Sequence, residues 1–248
     1  MTSKTTYRHT VQISEIDFSL RATIVSMIGY ILDIAGADAD KKGFGIKKLG
    51  SENRSWVISR MALDLYRLPN RYETVEIATW VNDYGRLLTT RNFTAADENG
   101  SSILAAVTQW AMIDLSTRRP LDLRYVDEYN RHLCIEQTPI NNPIKIAAIN
   151  SQETIVHKIT YSDIDFNRHV NSLRYFMLMI DTLPIEFLSN TNPVHIEVNF
   201  LHEAQYGDTL TAGYEQRGTK SLFEIKNSSG TVICRASIEW KAETTWKN

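Results

Sequence analysis

Cysteine is nearly absent from this chain of 248 residues: Cys134 and Cys234 are the only two. So few thiols exclude a disulfide framework and suit a reduced, cytoplasmic setting. An excess of charge of either sign is missing too. Lys and Arg number 27 against 29 Asp and Glu, a formal net charge of −2. No basic block is present that could track phosphates, so nucleic acid is not an expected partner. Long apolar runs are also lacking. The longest, about residues 22–35, is broken by Ser26, Gly29 and Asp33 and is too short to span a bilayer. The segment Met1–Thr6 has no apolar core of the signal-peptide kind. No membrane association is expected, and the chain reads as soluble and cytoplasmic. His195 and His202 have no third ligand at metal-site spacing, so neither a metal nor a cofactor is expected.

What is present is an ordinary globular composition, 43% hydrophobic, enough for one large domain or two of about 100–150 residues each. Residues 7–13 read as a strand and residues 20–35 as a mostly buried helix, with Gly36 as its C-terminal cap. Long β-like runs follow at 55–66, 74–83, 87–95 and 101–115, separated by turn residues such as Tyr84-Gly85 and Asn99-Gly100. The same order then recurs: a strand at 153–161, a helix at 168–181, and strands at 194–201, 208–216, 221–226 and 231–241. One helix followed by several long antiparallel strands is an α+β unit.

The recurrence extends to individual residues. Ser14-Glu15-Ile16-Asp17-Phe18 matches Ser162-Asp163-Ile164-Asp165-Phe166 at a constant separation (165 − 17 = 148). Glu73-Thr74-Val75 matches Asp208-Thr209-Leu210 at another (208 − 73 = 135). The first copy has the longer helix and loop, including residues 38–50. Two ordered matches predict two copies of one fold. Expected boundaries are residues 1–123 for the first unit, 124–152 for a polar linker carrying Pro139 and Pro143, and 153–248 for the second unit. So long a linker should cross one unit on its way to the other.

The densest polar chemistry lies in Tyr161–Tyr175, between the strand and the helix of the second copy. Asp165, Asn167 and His169 fall where a helix is expected to begin, with Asn167 as its N-cap. A helix N-terminus carries unpaired N–H groups and partial positive charge, suited to a carbonyl oxygen that turns negative. His169 can carry a proton near neutral pH, and Asp165 can orient it. The bland alternatives are a half-buried structural histidine and a turn-capping aspartate. The first copy keeps the aspartate as Asp17 but has Ser19 for Asn167 and Arg21 for His169. Only the second copy is therefore expected to react.

Asp-x-Asn-x-His-Val-Asn followed by an aromatic-rich helix resembles the catalytic segment of the acyl-acyl carrier protein thioesterases. The resemblance covers about residues 7–241. It implies two tandem hot-dog units, each a long helix wrapped by a curved antiparallel sheet. It also implies that Glu203, in the segment 199–208, completes the site, that the longer first helix lines an acyl-chain pocket, and that the partner is an acyl carrier protein bearing a fatty acyl chain. Ala204 stands where plant members carry a cysteine, so a Cys–His nucleophile is not expected. The expected reaction is attack of water on the thioester, releasing free fatty acid and ending fatty acid synthesis. Asp165, Asn167, His169 and Glu203 would be the catalytic set, with either His169 or Glu203 as the base. Other readings are an acyl-CoA thioesterase, a hot-dog hydratase or dehydratase, and a non-catalytic acyl-binding protein. The hydratase motif has glycine before the aspartate and proline after the asparagine, where this chain has Ile164 and Arg168. Lys41, Lys42, Lys47 and Lys48 could steer an acidic carrier protein, though an ordinary solvated loop is the simpler reading. Sheet edges invite pairing, which makes a homodimer a further expectation.

Overall fold

The computed structural model describes residues 4–125 and 132–243. The chain divides into two units, residues 1–143 and 144–248. The first contains β1 (Thr5–Thr10), α1 (Ile24–Lys41), α2 (Ile46–Ser51), β2 (Arg54–Leu65), β3 (Thr74–Tyr84), β4 (Thr89–Asp97) and β5 (Ser102–Asp114). Its strands lie in the order β1-β3-β4-β5-β2, with antiparallel neighbours. The second contains β6 (Gln152–Lys158), α3 (Ser172–Ile180), α4 (Ile185–Ser189), β7 (Thr191–Phe200), β8 (Thr209–Arg217), β9 (Lys220–Asn227) and β10 (Val232–Ala242). Its order is β6-β8-β9-β10-β7, again antiparallel. The two orders are one topology: the first strand at one side, then third, fourth and fifth, and the second last. Each unit is thus an α+β hot-dog, and the chain is a tandem of two.

Register shifts at Ile58/Arg60 in β2 and Val81/Asp83 in β3 bend the first sheet, and one at Glu239/Trp240 in β10 bends the second. In the first unit α1 packs on β1 and β3. Met27, Ile28 and Ile31 of the helix and Ile77 and Phe93 of the sheet are fully buried, each contributing about 1.5–3 kcal/mol. In the second, α3 packs on β8 and β9, with Phe176, Met179, Phe223 and Ile225 buried.

Three helix boundaries differ from the sequence expectation. The first helix begins at Ile24 rather than 20, because Ala22 is held in a bridge to Ile16 and Thr23 is the cap. Gly36 is not a cap: α1 continues to Lys41. The cause is Asp38, which is fully buried and pairs with Arg91 Nη1 of β4 at 2.6 Å and with Lys42 Nζ at 2.9 Å. This tertiary anchor carries the helix past its glycine, and α2 occupies part of the stretch expected to be loop. Lys42 is accordingly part of an ion cluster rather than a solvated lysine. In the second unit the helix begins at Ser172, not at 168, and its cap is Asn171, whose Oδ1 accepts from Leu173 N–H at 2.9 Å. Asn167 is not the cap, because the chain doubles back through residues 164–170 before the helix starts.

Of the expected linker, residues 126–131 lie outside the described residues. Cys134 N–H donates to the Val81 carbonyl at 2.9 Å, and Trp80 Nε1 donates to the Glu136 carbonyl at 3.3 Å, both within the first unit. Ile144 N–H donates to Glu197 at 3.1 Å and Ile146 N–H to Asn199 Oδ1 at 2.8 Å, both within the second.

Candidate active site

Three of the four residues singled out in sequence, Asp165, Asn167 and His169, lie on one doubled-back loop between β6 and α3, and Glu203 lies between β7 and β8. A 3-10 turn at Tyr161–Asp163 leads into the doubled-back loop. Ile164 bridges to Val170 across its neck. Asp165 N–H donates to the His169 carbonyl at 2.8 Å, and Arg168 N–H to the Asp165 carbonyl at 3.0 Å. The tight reversal puts Arg168 at φ 64°, in the left-handed region that a branched side chain would resist.

Asp165 shapes this loop. Its Oδ1 accepts the backbone N–H of Asn167 at 2.8 Å and of His169 at 3.2 Å. These are backbone contacts, so its role is to fold the segment that carries the imidazole. The neighbouring segment locks on from the other side. Val170 N–H donates to the Ala204 carbonyl at 2.9 Å, and His169 bridges to Gln205. A turn closed by Asp208 Oδ2 accepting Gln205 N–H at 2.8 Å follows, with Gly207 at φ 88°.

These backbone bonds bring His169 and Glu203 together. The imidazole Nε2 lies 3.6 Å from Glu203 Oε2, and the side chains are 18% and 42% exposed. A half-buried imidazole beside a more exposed carboxylate leaves room for water at the pair. The helix N-terminus contributes less than its position in sequence suggested. The N–H groups of Val170, Asn171, Leu173 and Arg174 donate to Ala204, Asp163, Asn171 Oδ1 and the Asn171 carbonyl. Those four are spent on folding the loop and capping the helix. The side-chain amide of Asn167, partly buried on the same loop, is a donor of the type that a carbonyl oxygen takes.

No thiol serves here. Ala204, next to Glu203, is fully buried and carries none. Cys234, on β10, is also fully buried, and burial pushes its thiol far above the usual range. Cys134 is buried beside β3 of the first unit.

Sequence reasoning missed a second polar group at the base of this loop. Asp163, fully buried, accepts Thr160 N–H at 2.7 Å and lies 3.0 Å from His157 Nε2 and 2.5 Å from Arg174 Nε of α3. Burial alone would raise its carboxyl, but the Thr160 N–H, His157, the Thr160 hydroxyl and Arg174 outweigh that and hold it below the usual range. A signal existed. His9 and Glu15 stand 148 residues before His157 and Asp163, and in the first unit they pair in the same way at 2.9 Å.

The first unit repeats the whole loop. Its 3-10 turn spans Ile13–Glu15, Ile16 bridges to Ala22, Leu20 has φ 60°, and Asp17 Oδ1 accepts Ser19 N–H at 2.8 Å. Thr23 caps α1 at the position of Asn171. What differs is the chemistry. Arg21, which replaces the histidine, donates from Nε to Ser19 Oγ at 3.1 Å. Leu68 is the counterpart of Glu203 at the second repeat separation.

Comparison with known proteins agrees with this architecture. Residues 2–132 match the acyl-ACP thioesterase N-terminal domain and residues 146–242 the acyl-ACP thioesterase C-terminal domain. A crystal structure of an acyl-ACP thioesterase from Bacteroides thetaiotaomicron is 34% identical and superimposes with a TM-score of 0.88, covering 96% of this chain and 98% of that one. The 12:0-ACP thioesterase from Umbellularia californica shares the fold at 17% identity, with a TM-score of 0.86 over 97% of this chain and 98% of that one. The chloroplastic acyl-[acyl-carrier-protein] hydrolase FATB3 of Cuphea viscosissima is 22% identical over 80% of this chain; the chain spans about half the length of that plant relative, 52%. With both of its halves matched in order, each by its own domain of one family, this chain belongs to the acyl-ACP thioesterase family.

Proposed function

We propose that the protein hydrolyses the thioester of a fatty acyl-acyl carrier protein, releasing free fatty acid and so terminating fatty acid synthesis. The observation that carries this reading is the His169–Glu203 pair at 3.6 Å, whose counterparts in the first unit are Arg21 and Leu68. An arginine stays protonated in proteins and a leucine cannot take a proton, so one copy is equipped for base catalysis and the other is not.

In the reaction, a water held at the pair loses a proton to it while the water oxygen bonds to the thioester carbonyl carbon. The carbonyl oxygen becomes an oxyanion, which the Asn167 amide stabilises. The tetrahedral intermediate then collapses, the C–S bond breaks, and the thiolate takes the proton back from the pair. Asp165 holds the loop so that Asn167 and His169 present their side chains to the same carbonyl. The products are a fatty acid and the free thiol of the carrier. We place the reaction in the cytoplasm.

The test is thiol release from a panel of acyl-acyl carrier protein and acyl-CoA esters. The wild-type protein should release thiol, faster from the carrier-protein esters. His169→Ala and Glu203→Gln should each lower kcat ~10²–10⁴-fold, the usual worth of a positioned base. Wild-type turnover in a folded His169→Ala protein would refute the assignment. Thiol release from CoA esters alone would make it an acyl-CoA thioesterase. A change in double-bond absorbance without thiol would make it a hydratase.

A further inference from the structure

The catalytic loop is seven residues long at its neck, from Ile164 to Val170, and its two flanks are Asp163 and Asn171. Both flanks are tied to one acid. The Asp163 carbonyl accepts Asn171 N–H at 2.8 Å, closing the neck. The Asp163 carboxylate, fully buried, faces Thr160 N–H and His157 on the strand side and Arg174 Nε on the helix side. Arg174 sits in the first turn of α3, three residues after the cap, with 28% of its side chain exposed. It is the one side chain of α3 that the described contacts show reaching back to this acid.

The first unit shows what is general and what is particular. Its Glu15 also closes a neck, accepting Thr23 N–H at its carbonyl at 2.9 Å, and also pairs with a histidine, His9. Its link to the helix, however, comes from a neutral donor: Tyr30 donates its hydroxyl to Glu15 Oε2 at 2.9 Å, two turns into α1. The residue at the position of Arg174 is Ser26, which donates its hydroxyl to the Glu15 carbonyl at 2.8 Å. A loop with this backbone therefore closes without an arginine. The copy bearing His169 has instead a shorter acid and a charged link one turn from the cap. Both links end on an ionised carboxylate, but only Arg174 brings a balancing positive charge from the helix to the buried acid, so the second copy ties its loop to α3 by an ion pair one turn from the cap.

We infer that Arg174 is a positioning residue for thioester hydrolysis: through Asp163 it fixes the loop of residues 164–170 against α3 and so holds His169 in register with Glu203. This rests on the reading of the site given above. Without the guanidinium the neck bond to Asn171 persists, so the loop stays folded but its histidine is no longer held to a fraction of an ångström. Misplacement by about 1 Å is enough to cost ~10²-fold in rate.

The experiment compares Arg174→Ala with Tyr30→Phe, which cuts the hydroxyl link of the first unit. Arg174→Ala should lower kcat about 10–100-fold with KM changed less than about threefold. Arg174→Lys, or millimolar guanidinium added to the alanine form, should recover a measurable part of kcat. Tyr30→Phe should lower the melting temperature and leave kcat within about twofold of wild type. Arg174→Gln, which keeps a donor and most of the stem, carries the same test should the alanine form not fold. Wild-type kcat in Arg174→Ala or in Arg174→Gln overturns the inference. So does a kcat loss in Tyr30→Phe that equals that of Arg174→Ala at equal loss of melting temperature. Glu203→Gln run in the same assay separates the two levels: if it keeps full turnover, the reading of the site fails whatever Arg174 does.

Discussion

The loops of residues 15–23 and 163–171 are nearly the same object made twice. Each has a 3-10 turn, an acid that pairs with a histidine, an aspartate that accepts two residues ahead, a left-handed residue and a capped helix. The side chains that could do chemistry are not duplicated. His169 faces Glu203, whereas Arg21 faces Ser19, and Leu68 fills the place of the second acid. The comparison teaches that Asp165 belongs to the backbone of the motif, because Asp17 does the same work where no reaction is proposed. It also teaches that Asn167, His169 and Glu203 are the residues whose identity the fold leaves open.

The helices beneath the loops differ as well. α1 has 18 residues and α3 has 9. The extra length of α1 ends in the buried Asp38–Arg91–Lys42 cluster, while the buried residues of α3 are Tyr175, Phe176, Leu178 and Met179. The largest effect on stability is expected here. Asp38→Ala leaves Arg91 charged and unpaired in the core and should cost about 3–5 kcal/mol, read from the denaturant midpoint at unchanged slope. A cost below about 1 kcal/mol would mean that Lys42 and solvent already compensate, and that the long helix needs no ionic anchor.

A smaller effect sharpens the comparison of the two caps. Thr23→Ala and Asn171→Ala each remove the oxygen that accepts the N–H of Ser26 or Leu173, and each should cost about 1 kcal/mol. Only Asn171→Ala should also lower kcat, because its helix start carries the loop that bears His169. Equal effects on kcat from both would dissolve the distinction between the copies.

The last effect is on acid sensitivity. Burial pushes both Glu15 and Asp163 up, but Gln12 N–H, His9 and Tyr30 outweigh it for Glu15, and Thr160, His157 and Arg174 for Asp163, so both lie below the ordinary carboxylate range. A depressed carboxyl stabilises the fold above its unfolded pKa of about 4, and the gain disappears as pH falls through the folded value. Melting temperature should therefore drop on acidification below about pH 4–5, and the drop should be shallower in Asp163→Asn. An unchanged acid limb in that variant would show that the clamp is not what titrates.

Much of this was legible before any coordinates. The ten long strands and two main helices, the duplication, and Asp165, Asn167 and His169 as a group follow from periodicity and from the constant separation of matched residues. The misreadings share one cause. Residues 168–171 have helical character by composition, yet the bridge from Ile164 to Val170 and the bond from Val170 to Ala204 hold them extended, so the helix waits until Ser172. Gly36 looked like an end, and a salt bridge to a strand 53 residues away carried the helix on.

The chain's own pattern determined two copies of one α+β topology and the polar residues that only the second copy bears, because apolar spacing and repeat identity are local properties that survive in one dimension. The family resemblance implied that Glu203 joins His169; tertiary structure set that pair at 3.6 Å, and it alone decided that Arg174 reaches Asp163. Those contacts join segments whose approach depends on strand pairing and loop closure, and no spacing along the chain encodes a distance in space.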